Sequence, residues 1–186
     1  MKKLILAALT IASVTGIAST SAVASNEMYA LGGFGMDDGD VGGQFTFGSQ
    51  VMQSNWYMES TLLVISTDEK DLKTEQEFDS LMLSLTPMYK HSFSENFAVY
   101  GKAGAFYAHS DTKLVFLSSD NNEVRKGSHG DFGLTYGIGA EYKSAKPIFG
   151  NSKLLTRVGF DWYEFGGSSG WYTKESALGI QTGFTF

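Results

Sequence analysis

Apolar and polar side chains alternate every second residue through almost the whole sequence beyond its N-terminal region. Between Asp131 and Lys143, the apolar face consists of Phe132, Leu134, Tyr136, Ile138, Ala140 and Tyr142. The opposite face consists of glycines, small hydroxyl residues and charges of both signs. Successive side chains of a strand point to opposite sides, so this pattern predicts strands whose two faces meet different surroundings. Helical periodicity is absent, and the chain is expected to be all-β.

Eight segments of this kind cover residues 27–36, 41–52, 55–67, 77–93, 96–116, 127–144, 153–167 and 172–186. Each has at least the roughly 9–11 residues with which a tilted strand crosses a bilayer. Short connections alternate with longer polar ones, a pattern typical of periplasmic turns and extracellular loops. Small polar residues fit a crowded lumen, and apolar residues fit lipid. We therefore expect an eight-stranded antiparallel up-and-down transmembrane β-barrel, with a periplasmic sandwich as the alternative.

The N-terminus has the features of an export signal. Lys2 and Lys3 precede an apolar run over residues 4–14, and the small-residue motif Ala22-Val23-Ala24 follows. This arrangement predicts a cleaved signal peptide over residues 1–24 and a barrel domain over residues 25–186. The mature chain would carry 12 basic and 20 acidic residues, a net charge of −8, so nucleic acid is not expected as a partner. The chain has no cysteine, and no cofactor or metal is expected.

The C-terminal strand carries Phe184 and the terminal Phe186 on its apolar face. This ending resembles the signal by which outer-membrane proteins are passed to the barrel-assembly machinery. With the export signal and the stretches 87–90 and 100–104, the chain resembles the small eight-stranded family that includes the OmpA transmembrane domain, OmpX and Ail. The resemblance implies location in a Gram-negative outer membrane, among its lipid and lipopolysaccharide, and the assembly machinery as a partner of Phe184 and Phe186.

The polar phase of the strands places charges of both signs in the lumen. The predicted luminal network comprises Glu59, Lys102, Glu141, Arg157 and Asp161. Each residue of a tilted strand climbs roughly 2.5 Å, which brings these side chains to nearby heights. Opposite charges buried at one depth should pair, because an isolated buried charge is costly. Such a network either fills the lumen without conduction or gates a small porin-like channel.

Strands five and six are expected to continue above the lipid as a protruding ribbon. The candidate interaction residues of this extracellular loop are Lys113, Val115, Leu117, Asp120, Arg125 and Lys126. Val115 and Leu117 are expected to form an exposed apolar edge, and such an edge can pair with another chain. The surface ligand itself is not identified by the sequence.

An enzymatic function is a third class to weigh, because lipid A deacylases occur on this fold. Their site needs histidine, serine and an acid on one outer face. Each of the three histidines, His91, His109 and His129, has a serine as its sequence neighbour, and neighbouring side chains point to opposite faces. No catalytic residue is therefore expected. A structural and surface-interaction role is favoured, with a channel and then a lipid-modifying enzyme as alternatives.

Overall fold

The computed structural model describes residues 26–37, 40–70, 74–116, 123–166 and 172–186. Its eight strands are β1 (Met28–Asp37), β2 (Asp40–Gln50), β3 (Trp56–Lys70), β4 (Thr74–Ser92), β5 (Phe97–Phe116), β6 (Glu123–Lys143), β7 (Lys153–Gly166) and β8 (Tyr172–Thr185). Every strand pairs antiparallel with its sequence neighbours, and β1 pairs with β8 to close the barrel. The predicted fold class is confirmed, with strand bounds a few residues from those expected. The expected signal peptide lies outside the described residues.

The two faces of each strand meet different surroundings. On β6, Phe132 is 72% and Ile138 is 59% exposed on the outer surface, whereas Thr135 and Glu141 are buried in the lumen. Outward apolar residues face lipid in a membrane barrel, so their exposure fits the fold. No helix among the described residues is long and apolar enough to cross a membrane.

Aromatic pairs mark two levels on the outer surface. Near the periplasmic turns, the rings of Trp56 and Tyr89 lie 5.2 Å apart, and those of Phe97 and Tyr142 lie 5.0 Å apart. Nearer the opposite ends of the strands, the rings of Tyr107 and Phe132 lie 4.7 Å apart. Amphipathic rings favour the membrane–water interface, so the two levels delimit the spanning part of the barrel.

The barrel is much taller on one side than on the other. Pairing of β5 with β6 continues to Phe116 and Glu123, whereas pairing of β6 with β7 ends at Gly133. Among the described residues, the β6 backbone from Glu123 to Phe132 therefore has an unpaired edge. On the other side, β4 pairs with β5 as far as Thr74 and Phe116, so Val115 lies inside the sheet. The expected edge at Val115 is wrong: the edge belongs to β6, and Leu117 is outside the described residues.

Two clusters of large side chains fill the lumen at different heights. The lower cluster consists of Tyr29, Leu31, Tyr57, Met88, Tyr100 and Leu155. The upper cluster consists of Leu63, Met82, Phe106, Ala108, Tyr163 and Ala177, with Ile65 and Phe165 against it. The interior is therefore not lined by small polar residues alone. Glycines make the room: a Cβ at Gly48 would lie 2.1 Å from the Tyr29 ring.

Candidate functional site

Arg157 of β7 is the centre of the luminal charge network. Its Nε and Nη2 donate to Oε1 of Glu141, at 3.0 and 2.5 Å, and its Nη1 donates to Glu59. Glu141 lies directly opposite Arg157 across the β6–β7 ladder, and Glu59 reaches Arg157 from β3. Arg157 is 2% exposed and Glu59 is fully buried. A buried guanidinium held by two carboxylates is compensated, and loss of either carboxylate would leave it short of a counter-charge.

Two lysines extend the network from this centre. Lys102 Nζ lies 3.0 Å from Oε1 of Glu59 and 3.1 Å from Oδ2 of Asp161. Lys90 Nζ lies 2.5 Å from Oε2 of Glu141. Three carboxylates thus face three basic groups, and these groups are balanced in formal charge. The remaining oxygen of Asp161, Oδ1, is buried without a hydrogen-bond partner in the part of the chain that the structure describes.

Tyrosine rings lie against the basic groups of Arg157 and Lys90. The Arg157 guanidinium carbon lies 5.0 Å from the Tyr29 ring centre and 4.7 Å from that of Tyr100. The Tyr29 hydroxyl donates to Oε2 of Glu59 at 2.8 Å, and Lys90 Nζ lies 4.1 Å above the Tyr57 ring. Cation–π contacts of this kind contribute about 0.5–2 kcal/mol each. These contacts hold the basic side chains in place.

A further ion pair lies at the periplasmic mouth. Lys143 Nζ lies 2.7 Å from Oε2 of Glu27, which precedes β1, so the pair bridges distant parts of the rim. The Tyr57 hydroxyl contacts the other oxygen of Glu27 at 3.5 Å. This pair lies below the main network and tethers the start of the barrel to β6.

The structure brings the five candidate network residues into one connected set within the lumen. Sequence reasoning did not include Lys90 in that set. It also missed the three tyrosines, although Tyr57 and Tyr100 lie two residues from Glu59 and Lys102 and therefore point to the same side of their strands. Tyr100 fits because a Cβ at Gly139 or Gly159 would lie 2.4 or 2.2 Å from its ring and hydroxyl.

The other candidate residues occupy the two ends of the barrel. Lys113, Val115, Arg125 and Lys126 lie on the outer parts of β5 and β6, whereas Asp120 is outside the described residues. Phe184 lies on β8, partly exposed, with its ring 5.8 Å from that of Phe149 in the last periplasmic turn. Phe186 forms backbone hydrogen bonds with Met28, which close the base of the barrel.

The strand register brings together His109 and Ser128, two residues that the sequence analysis did not pair. Ser128 Oγ lies 3.4 Å from Nε2 of His109 on the neighbouring strand, and Asp111 Oδ1 lies 3.7 Å from the same nitrogen. A catalytic relay needs the acid on one ring nitrogen and the nucleophile on the other. Here both oxygens face Nε2, and the side chains of His109 and Asp111 are largely exposed, so the contact does not form a relay. Within the described ranges, no group of three or more acidic or histidine residues could hold a metal ion.

This chain is a closed antiparallel barrel with apolar residues on its outer surface and charged residues in its lumen. That arrangement defines the class of outer-membrane β-barrels. The family model described as "OmpA-like transmembrane domain" matches residues 40–167. The chain belongs to the OmpA-like transmembrane domain family, and it is a protein of the Gram-negative outer membrane. No curated protein matches its sequence.

Solved structures show the same fold at low sequence identity. Ail of Yersinia pestis, in complex with the heparin analogue sucrose octasulfate, is 15% identical with a TM-score of 0.57, over 87% of this chain and 99% of Ail. The N-terminal barrel of Pseudomonas aeruginosa OprF is 15% identical with a TM-score of 0.53, over 87% and 98%. A major outer-membrane protein of Thermus thermophilus is 16% identical with a TM-score of 0.57, over 88% and 99%.

Proposed function

We propose that this protein is a closed, non-catalytic scaffold of the outer membrane, which supports the envelope and contacts an anionic partner through the outer ends of β5 and β6. The observation that carries the proposal is the difference in strand height. The sheet around β5 and β6 extends well beyond the level at which β7 leaves β6. The strands of this extension, β4, β5 and β6, are the longest in the described part of the barrel, with 19, 20 and 21 residues.

The backbone of the outer β6 segment supports a role in contact. From Glu123 to Phe132, one edge of β6 has no neighbouring strand among the described residues. A strand edge that no neighbouring strand covers can bind an extended segment of a partner, which is a common mode of recognition. The candidate residues Arg125 and Lys126 both lie on this edge strand.

The charges of the same segment favour an anionic partner. Lys113 of β5 and Lys126 of β6 are directly opposite each other in the ladder. Glu77 of β4 is opposite Lys113 on its other side, whereas Lys126 is exposed on the edge strand, where an anionic group can approach it. Ail, which shares the fold, has been solved with a sulfated heparin analogue. Asp79 and Asp111 lie lower on the same side of the sheet, which limits the basic strip to its outermost part.

Binding of heparin to the refolded barrel in lipid nanodiscs tests the proposal. We expect saturable binding that weakens at least tenfold when Lys113, Arg125 and Lys126 are all changed to glutamine, and that weakens with salt. The matched control changes Lys146 and Lys153, which lie in and beside the last periplasmic turn, to glutamine and should leave binding unchanged. Equal binding by the triple variant, or equal loss in the control, would contradict the proposed contact.

A channel is the second candidate, because paired luminal charges resemble a gate. The buried side chains around the network oppose it: Tyr29 and Met88 are fully buried at the level of Arg157 and Glu59. A conducting path past Lys102 and Arg157 would need space that these side chains occupy. The scaffold therefore fits the packing of the lumen better than the channel does.

A further inference from the structure

Above the charge network, all eight strands contribute an apolar side chain, a tyrosine ring or a glycine to one layer of the lumen. These residues, in strand order, are Gly35, Gly42, Leu63, Met82, Phe106, Gly133, Tyr163 and Ala177. We name them the apolar ring. No charged residue belongs to it. The layer lies near the level where β2 and β3 cease to pair, since Gly42 and Ile65 are their last partners.

Phe106 is the largest apolar side chain of the ring. Its ring centre lies 5.4 Å from that of Tyr163 and 4.9 Å from that of Phe165, both in edge-to-face geometry. The Phe106 ring can lie against β6 because residue 133 of that strand is glycine. A Cβ at Gly133 would lie 2.5 Å from the Phe106 ring. These contacts join β5 to β7 across β6 and leave Phe106 2% exposed.

Leu63 completes the ring on the opposite side. Its Cδ1 would lie 3.3 Å from a Cβ at Gly35 and 3.2 Å from one at Gly42, so the leucine fills the space that the two glycines leave. Leu63 and Met82 are 3% and 5% exposed, although they lie near the outer end of the closed barrel. The low exposure of both side chains shows that their neighbours in this layer cover them.

We infer that the apolar ring, rather than the charge network, seals the lumen against the external medium. Apolar constrictions exclude water and ions by dewetting, without any need for paired charges. The network lies beneath this seal, where Lys102 is bound to Glu59 and Asp161. Neutralising charges of the network therefore leaves the outer seal intact. Shortening side chains of the apolar ring opens the lumen to the external medium. This inference deepens the closed lumen of the proposed function and rests on it.

Accessibility of single cysteines tests the seal, because the chain has no cysteine of its own. Ser84→Cys places a thiol just beneath the ring, where Ser84 is buried beside Thr61. Ser110→Cys places one above it, where Ser110 is partly exposed beside Ser80. The probe is 2-aminoethyl methanethiosulfonate, added outside proteoliposomes whose barrel orientation is established by external proteolysis of the 109–130 segment.

We expect the thiol of Ser84→Cys to react at least a hundredfold more slowly than that of Ser110→Cys. Adding Phe106→Ala should speed the reaction at position 84 at least tenfold, and adding Lys102→Met should leave it unchanged. Phe132→Ala, on the lipid-facing side, is the matched control and should also leave it unchanged. Each variant is scored only if it shows the mobility shift of a folded barrel on heating, and Met82→Ala replaces Phe106→Ala if the latter does not fold.

Two results would overturn the inference. One is rapid modification at position 84 with the ring intact. The other is acceleration by Lys102→Met as large as that by Phe106→Ala, which would make the network the seal. The heparin experiment tests only the outer ends of β5 and β6. The proposed surface contact and the proposed seal can therefore be contradicted independently.

Discussion

The two layers of the lumen are held together by different interactions. In the lower layer, Arg157, Glu59 and their partners are joined by charged hydrogen bonds and cation–π contacts. In the upper layer, Phe106, Leu63 and Tyr163 are held by packing against one another and against glycines. Charged contacts require particular partners, whereas apolar contacts require only filled volume. The lower layer therefore depends on the identity of its charged partners, and the upper layer depends on the volume that its side chains fill.

This difference predicts different responses to substitution. Removal of one member of a buried charge network leaves its partners uncompensated. Removal of volume from an apolar layer leaves a cavity, and addition of volume strains it. The following substitutions separate these responses, with the free energy of unfolding in urea, measured on barrels refolded in lipid vesicles, as the common readout.

Glu59→Ala is expected to have the largest effect. It removes the carboxylate shared by Arg157 and Lys102 and the acceptor of the Tyr29 hydroxyl. Loss of one partner of a buried ion pair costs about 3–5 kcal/mol. Glu95→Ala, at an exposed periplasmic turn, is the matched control and should cost less than about 0.5 kcal/mol. Similar losses in the two variants would show that the network contributes nothing to stability.

Gly133→Ala is expected to have an intermediate effect. The added methyl would lie 2.5 Å from the Phe106 ring and 2.3 Å from the carbonyl oxygen of Glu164, so the apolar ring must shift. Overpacking of this kind costs about 1–3 kcal/mol. Gly101→Ala is the matched control, because nothing lies within 4 Å of a Cβ there, and its stability should be unchanged. If the two alanines behave alike, the upper layer is not tightly packed.

Asp161→Asn is expected to have the smallest effect within the network. Lys102 keeps its contact with Glu59, and Oδ1 of Asp161 has no hydrogen-bond partner to lose in the described structure. We expect a loss of about 1 kcal/mol, close to the net contribution of one hydrogen bond. A double-mutant cycle with Lys102→Met measures the coupling directly. A loss as large as that of Glu59→Ala would contradict the peripheral position of Asp161 in the network.

The sequence predicted the fold and family because strand periodicity and the C-terminal phenylalanine are local patterns. It also placed Glu59, Lys102, Glu141, Arg157 and Asp161 in the lumen, because residue parity and distance from a turn give side and height. These quantities need no knowledge of which residues face each other across strands.

The apolar ring and the free edge of β6 depend on the register, which the sequence did not reveal. Parity places Phe106 in the lumen, but its ring has space there because Gly133 lies against it, and the two residues are neighbours through the β5–β6 pairing. The edge was predicted at Val115 because β4 was expected to begin at residue 77, whereas it begins at Thr74 and pairs up to Phe116.

Planar-bilayer conductance of the refolded barrel tests the closed lumen most directly. Wild type, Lys102→Met and Arg157→Met are measured side by side, after each has been shown to fold by its mobility shift on heating. A lumen closed by the apolar ring predicts no current steps from any of the three. Steady conductance in the wild type that changes with either substitution would contradict the closed lumen and make the charge network a gate.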